Sequence, residues 1–203
     1  RMCIRDSVEI FRDGFRYNLH FEHGNNVGGL KKEPTTQKKT GTRTRWKPDL
    51  DVFTDIQIPD EFFHDILRRQ AIVNPNLLFT YRSQSEDGSF SVREFRYENG
   101  ITDYVQEIVG DKAMTSIQHW QCEKKGRDRA DKPEYKVRIN VALTFSNQIK
   151  LTEFYHNSSF LEHGGSPERA VRQAFVSQID SYLKQNSKYL KNESKITYAD
   201  IED

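Results

Sequence analysis

The sequence predicts an α+β fold whose sheet is mostly antiparallel or mixed. Asp13-Gly14 and Asp87-Gly88 each sit between alternating apolar residues, which is the signature of a β-hairpin. Apolar residues at helical spacing follow Pro59 and again follow Ser166. The groups run strands, helix, strands, helix, strands, helix. That order suits hairpins packed with helices rather than a doubly wound parallel sheet.

The elements follow in chain order. Residues 8–21 form the first hairpin around Asp13-Gly14. Residues 22–39, rich in glycine and lysine, read as a loop. Residues 40–53 give a short strand ended by Pro48. Phe62, Phe63, Ile66, Leu67 and Ala71 share a helical stripe in a segment starting at Pro59 and stopped at Asn74-Pro75. Residues 76–97 form the second hairpin. Ile101, Tyr104, Val105 and Ile108 line one side of a short helix. Strands are expected at 115–122, 135–145 and 148–155. A charged loop at 123–132 separates the first two, and a tight turn at Asn147 the last two. Ser166 is placed to cap a final helix, with Pro167 at its first position. The stripe Val171, Ala174, Phe175, Ile179, Tyr182, Leu183 carries that helix to about Asn186.

Composition narrows the function classes. Only 35% of the residues are hydrophobic and 30% are charged, but 13 Phe and 9 Tyr supply enough large side chains for a core. A net charge of +1 makes no strong overall demand for nucleic acid or membrane. No run approaches the roughly 18 apolar residues of a membrane span, and "RMCIRDS" at the start lacks the apolar core of a signal peptide. Cys3 and Cys122 have no metal-type spacing, which fits a reducing cytoplasmic setting.

The stretch "HNSSFLEHGGSPERAVRQAF", residues 156–175, offers several chemistries. His156, Glu162 and His163 could bind a metal, but the two histidines are not in a helical register and lack an obvious third partner. Gly164-Gly165-Ser166 opens a helix whose N-terminus favours anions. The phosphate-loop and dinucleotide patterns are absent, so a glycine turn before a helix is the competing reading. Ser158, Ser159 and Ser166 lie near the histidines without a nucleophile-elbow motif. Two basic sets could meet nucleic-acid phosphates: Lys31, Lys32, Lys38, Lys39, Arg43, Arg45 and Lys47 beside Trp46, and Lys124, Lys125, Arg127 and Arg129. A solvated loop, with Asp49 and Asp51 following the first set at once, is the preferred reading of both sets. The residues alone thus describe an α+β protein without a self-contained active site.

Four segments in order resemble one family. They are "KKTGTRTRWKPDLDVF" (38–53), "ILRRQAIVNPNLLFTYRSQ" (66–84), "FRYENGITDYVQEI" (95–108) and "FYHNSSFLEHGGSPERAVRQAF" (154–175). Together they are similar to the B subunit of bacterial type II DNA topoisomerases, DNA gyrase and topoisomerase IV. Asn99 stands where the family usually has glycine, and Ser166-Pro167 replace its Thr-His. Residues 1–7 depart from the family's apolar helix and carry no weight.

The resemblance implies a partial chain. Residues 1–58 would be the C-terminal remnant of a GHKL-type ATPase domain. Residues 59–203 would be a transducer domain, truncated at its end, with an α+β fold shared with a ribosomal small-subunit protein. ATP and Mg2+ would serve the intact enzyme, with most of their site outside these residues. Thr42 would remain from the nucleotide pocket, beside the adenine, although an ordinary β-branched strand residue explains it too. The double glycine would be a structural joint, and no residue would be catalytic or bind metal. Expected partners are duplex DNA, an A-type subunit and a second copy of the B-type chain, with ATP binding coupled to strand passage. This piece alone is expected to be inactive. The alternative is a stand-alone binding module of the same fold for nucleic acid or protein. A mismatch-repair or chaperone ATPase fits "EHGGSPERAV" poorly.

Overall fold

The computed structural model describes residues 3–202. It divides into two compact units, Arg1–Pro59 and Asp60–Asp203. The first is a sheet of five strands: β1 (Cys3–Arg12), β2 (Phe15–Glu22), β3 (Asn25–Asn26), β4 (Lys31–Pro34) and β5 (Gly41–Pro48). The order is β3-β2-β1-β5, with β4 also on β2, and every pairing is antiparallel. Asp13 and Gly14 both take positive φ, at 54° and 78°, as the two-residue turn between β1 and β2 requires.

Two expectations change here. Residues 22–39 are more than a loop, because they contribute β3 and β4. Strand β4 is built from Lys31, Lys32, Glu33 and Pro34, so no apolar alternation announces it. Lys32 instead lays its ammonium over the Phe15 ring at 4.0 Å. Strand β1 starts before residue 8: Arg5, Asp6 and Ser7 pair with both β2 and β5, and the register to β5 shifts between Cys3 and Arg5. Ladder hydrogen bonds come from the backbone and do not depend on family-like side chains.

The second unit contains α1 (Asp60–Val73), β6 (Phe79–Gln84), β7 (Phe90–Phe95), α2 (Ile101–Val109) and a 3-10 turn at Gly110–Lys112. Then come β8 (Gln118–Gly126), β9 (Tyr135–Leu143), β10 (Tyr155–His156), β11 (Ser159–Phe160), α3 (Gly165–Gln185) and α4 (Ala199–Glu202). The fold is α+β. Its pairs β6–β7, β8–β9 and β10–β11 are separate antiparallel ladders.

The core is where α1 meets β7 and α2. Ala71, Ile72, Phe95 and Tyr97 are buried, with Leu67, Phe79, Tyr81, Ile101 and Tyr104 packed around them. Asp60 begins α1, where acid suits the helix dipole, and accepts hydrogen bonds from the Tyr81 hydroxyl at 2.8 Å and Ser83 at 3.2 Å. Asn99 bonds through both its backbone and side chain to the Asp103 carboxylate, at 2.8 and 2.9 Å. That gives the departure from the family's glycine a local use at the start of α2.

Other differences concern strands and caps. Residues 123–126 lie in β8 rather than in a loop, because Glu123 is braced across the ladder by Lys136 at 3.1 Å and Arg138 at 3.7 Å. The first of the three expected strands therefore starts later and runs further. Residues 148–154 form no strand despite their alternation, although the Phe154 carbonyl accepts from the Leu161 amide at 2.8 Å. The Ser146 hydroxyl takes the amides of Gln148 and Ile149, both at 3.2 Å, and so turns the chain out of a strand. Helix α3 begins at Gly165 with Gly164 as its cap, so Ser166 lies inside the first turn and makes no cap bond. Helix α4 has no apolar period long enough to be read.

Large apolar residues such as Trp46, Leu50, Phe62 and Trp120 stand half exposed or more. The buried set is small, so each of its members matters more to stability. Gly100 guards that set. At φ 56° it lies so close to α1 that a Cβ would meet the Ile72 carbonyl oxygen at 2.9 Å and Pro75 Cγ at 3.0 Å. Gly100→Ala is expected to destabilise the second unit by about 2 kcal/mol or more, from positive-φ strain and that overlap. Denaturant unfolding followed by circular dichroism checks it, and an unchanged midpoint refutes it.

Candidate functional site

In an antiparallel ladder, directly opposed residues share a face. Thr42 on β5 opposes Ile10, and Thr44 opposes Val8. Across β1, Ile10 opposes Tyr17 and Val8 opposes Leu19. Thr42 therefore lies on an apolar face of the first unit, beside a second threonine. It is solvent-exposed there. A hydroxyl on such a strip can make one hydrogen bond to the polar edge of a flat ring resting on the aliphatic neighbours.

The same alternation divides the first basic set. Arg43 and Arg45 oppose Glu9 and Ser7 and so point to the other face. There Arg16 Nε donates to Glu9 at 2.6 Å, and Lys39 sits over the Phe11 ring at 4.1 Å. The seven cations do not form one track. In the second set, Arg127 is occupied by Glu134 at 3.2 Å and by the Ala130 carbonyl oxygen at 3.3 Å. Lys124, Lys125 and Arg129 have no ion pair within 4.0 Å among the described residues.

The residues of 156–175 assemble as a joint. His156 opposes Ser159 in the β10–β11 hairpin, while Glu162 and His163 lie exposed beyond it. Among the described residues no group of three His, Cys, Asp or Glu is placed to hold a metal ion. At the head of α3, the amide of Gly164 bonds Leu161 O at 3.0 Å and that of Gly165 bonds His163 O at 2.6 Å. Gly164 is buried with φ 63°, and a Cβ on it would overlap the Glu168 side chain. Glu168 in turn accepts from Arg172 Nε at 2.9 Å. The helix thus supplies its own acid at its positive end, where a phosphate would otherwise bind.

Sequence reasoning missed a polar network behind this joint. The Glu153 carboxylate accepts from the Tyr155 hydroxyl at 2.7 Å and from Tyr104 of α2 at 3.3 Å. Tyr97 donates to Glu107 of α2 at 2.7 Å. From α1, Gln70 donates to Ser158 O at 2.7 Å, and Arg69 stacks on the Phe160 ring at 3.9 Å. Burial first, then the Glu153 charge, pushes the Tyr104 hydroxyl up to about 12. Burial first, then the hydrogen bond to Glu153, holds Tyr155 well above the usual tyrosine range, and burial with the Glu107 hydrogen bond does so for Tyr97. These hydroxyls stay protonated donors at physiological pH. The partners lie up to 88 positions apart, and no local pattern announces them.

A second hub holds the chain after α3. Asp180 is buried and accepts from Lys184 at 2.8 Å and the Tyr189 hydroxyl at 2.9 Å, with Lys195 at 3.6 Å. Tyr189 passes the link on, accepting from the Ile196 amide at 3.1 Å.

Comparisons with known proteins place this geometry. A family model described as DNA gyrase B matches residues 100–203. The B subunit of DNA topoisomerase 4 from Streptococcus pneumoniae is 27% identical over 193 residues, covering 93% of this chain and 28% of that protein. The B subunit of DNA gyrase from Synechocystis is 31% identical over 193 residues, covering 93% of this chain and 17% of that protein. The chain therefore spans less than a third of the length of either relative. Among solved structures, the 43K ATPase domain of Thermus thermophilus gyrase B, in complex with an aminocoumarin, superposes with a TM-score of 0.68. It is 20% identical and covers 99% of this chain and 52% of that one, which shows a shared fold.

The Asp180 hub predicts a pH response. The Lys184 contact first, then the Tyr189 hydroxyl and Lys195, hold its carboxyl below the usual carboxylate range. A depressed folded pKa stabilises at pH above the unfolded value of about 3.9 and loses that effect as pH falls through the folded one. Asp180→Asn should therefore speed hydrogen exchange across residues 186–196 at neutral pH. The difference from the parent should close below about pH 3. A difference that persists in acid contradicts the assignment.

Proposed function

The chain belongs to the DNA gyrase B family, and from that premise we propose that it serves in the B-type chain of an ATP-hydrolysing type II DNA topoisomerase. ATP binding and hydrolysis would be coupled there to passage of one duplex through another. Residues 1–58 act as part of a GHKL-type ATPase domain, and residues 59–203 as its transducer. The family match over residues 100–203 is the observation that carries this reading. The extent of uncovered apolar surface supports a role inside a larger assembly.

The intact enzyme would take ATP and Mg2+, pair with a second copy of itself and an A-type subunit, and act on duplex DNA in the cytoplasm. Among the described residues no helix is long and apolar enough to cross a membrane. Thr42 would meet the adenine edge, with Val8, Ile10 and Thr44 beside it on the same face of the sheet. The family resemblance puts most of the ATP and Mg2+ site outside these residues, so the chain by itself would not turn ATP over. The second unit acts as the moving part. Its Glu153 and Gln70 links let α1, α2 and the head of α3 shift as one body, which a two-state relay needs.

The decisive experiment compares the full gene product, mixed with an A-type partner, against the 203-residue chain. The former should change DNA supercoiling only with ATP, and the latter should show no ATP turnover. Thr42→Ala in the full product should raise the KM for ATP about threefold to tenfold with kcat little changed, as loss of one hydrogen bond predicts. Turnover by the short chain, or ATP-independent supercoiling by the full product, would refute the reading. An unchanged KM would remove Thr42 from the pocket.

Contact with DNA falls to the β8–β9 hairpin, where Arg129, Lys124 and Lys125 lack ion-pair partners among the described residues. Arg127→Glu combined with Arg129→Glu should lower the stimulation of ATPase by DNA and flatten its dependence on salt. Stimulation equal to the parent's would exclude this hairpin.

A further inference from the structure

A cleft of about 210 Å3 opens in the second unit, lined by Arg68 of α1, residues 93–97 along and just after β7, and Glu107 of α2. Arg68, Arg93 and Arg96 are among its lining residues, together with Glu94 and Glu107. Glu107 already accepts from the Tyr97 hydroxyl. Arg96 reaches Glu98 at 3.5 Å on the exposed rim. Arg93 donates to His64 Nδ1 at 3.2 Å, which fixes its position without cancelling its charge, and it lies 5.4 Å from the centre of the Phe95 ring.

Arg68 differs from both. It is partly buried, yet no carboxylate lies within 4.0 Å of it among the described residues. Withdrawing a cation from water is costly unless an anion compensates. Its field is felt nearby, since it lowers the proton affinity of Tyr97 and Tyr104 against the burial that raises both. Phe95 and Tyr97, also among its lining residues, are buried, and low-dielectric surroundings strengthen charge interactions. The volume falls short of the roughly 300 Å3 at which sites for drug-sized ligands begin. It admits one tetrahedral oxyanion and water.

We propose that this cleft binds a phosphate oxyanion, held in the Arg68 fork and closed at the rim by Arg96. A planar guanidinium presents parallel donors to two oxygens at once, and a phosphate has further oxygens for the second arginine. The phosphate is either free or carried on a nucleic-acid backbone. The site stands on the geometry of the second unit alone and does not depend on the strand-passage reading.

The test titrates inorganic phosphate into the 203-residue chain at low ionic strength. Calorimetry measures affinity, and the arginine Nε–H resonances report the place. A single saturable event that moves the Arg68 and Arg96 resonances is expected. Arg68→Gln should weaken binding about tenfold or more, and Arg68→Lys should weaken it less, because the charge remains but the fork is lost. Arg45→Gln in the first unit should change nothing. Displacement of phosphate by a short DNA duplex assigns the natural source to a nucleic-acid backbone, and failure to displace assigns it to free phosphate. Absence of saturation at millimolar phosphate overturns the proposal, as does undiminished binding by a folded Arg68→Gln. If that variant does not fold, the resonances of the parent chain decide the matter.

Discussion

The contact that organises the second unit is the seating of Ala71 and Ile72 against Phe95 and Tyr97. Ile72 is essentially inaccessible, and burying such a side chain contributes about 1.5–3 kcal/mol. With so few residues fully buried, that is a sizeable part of the net stability a domain commands. Both ends of the contact are constrained. Asn74-Pro75 stops α1 directly after the buried pair, and Gly100 brings the next helix in against the Ile72 carbonyl. The two helices can approach only because no side chain stands between them.

Polar groups extend this small core outward. Tyr97 and Tyr104 each place a ring in the packed layer and a hydroxyl on a carboxylate, joining apolar burial to the Glu107 and Glu153 links. A carboxylate that receives two hydroxyl donors, as Glu153 does, is satisfied without an ion pair. The segment before α3 is therefore held by neutral donors that do not titrate near physiological pH. The chain after α3 is held by Asp180 and its cations instead, and it responds to acid. The two ends of the long helix are fastened by different chemistry.

How far the fold was legible depends on the distance over which each signal acts. Both Asp-Gly hairpins were readable because turn and alternation lie within a few residues of each other. So were α1 and α2, from their stripes and from Asn74-Pro75. Strand β4 was not, since its four residues carry no apolar period and its stabilisation comes from a lysine lying over a ring on another strand. Residues 148–154 alternate well, but a strand also needs a neighbour, and the Ser146 hydroxyl turns that backbone aside. Ser166 satisfied a cap rule, but the positive φ of Gly164 and the reach of Glu168 started the helix earlier. The Tyr–Glu links and the Arg68 cleft require knowing which distant elements meet, and a single sequence does not encode that locally.

Strand β5 shows why the nucleotide assignment must be argued from register. The family match begins at residue 100, beyond Thr42. What distinguishes Thr42 physically is parity: Thr42, Thr44 and Trp46 take one face, and Arg43, Arg45 and Lys47 the other. A slip of one residue would exchange them and set three cations against the apolar strip of Val8, Ile10, Tyr17 and Leu19. The desolvation cost of that arrangement falls on the pairing of β1 with β5, so the apolar strip itself enforces the register. Thr42 and Thr44 take the face of the strip because the charged residues between them cannot.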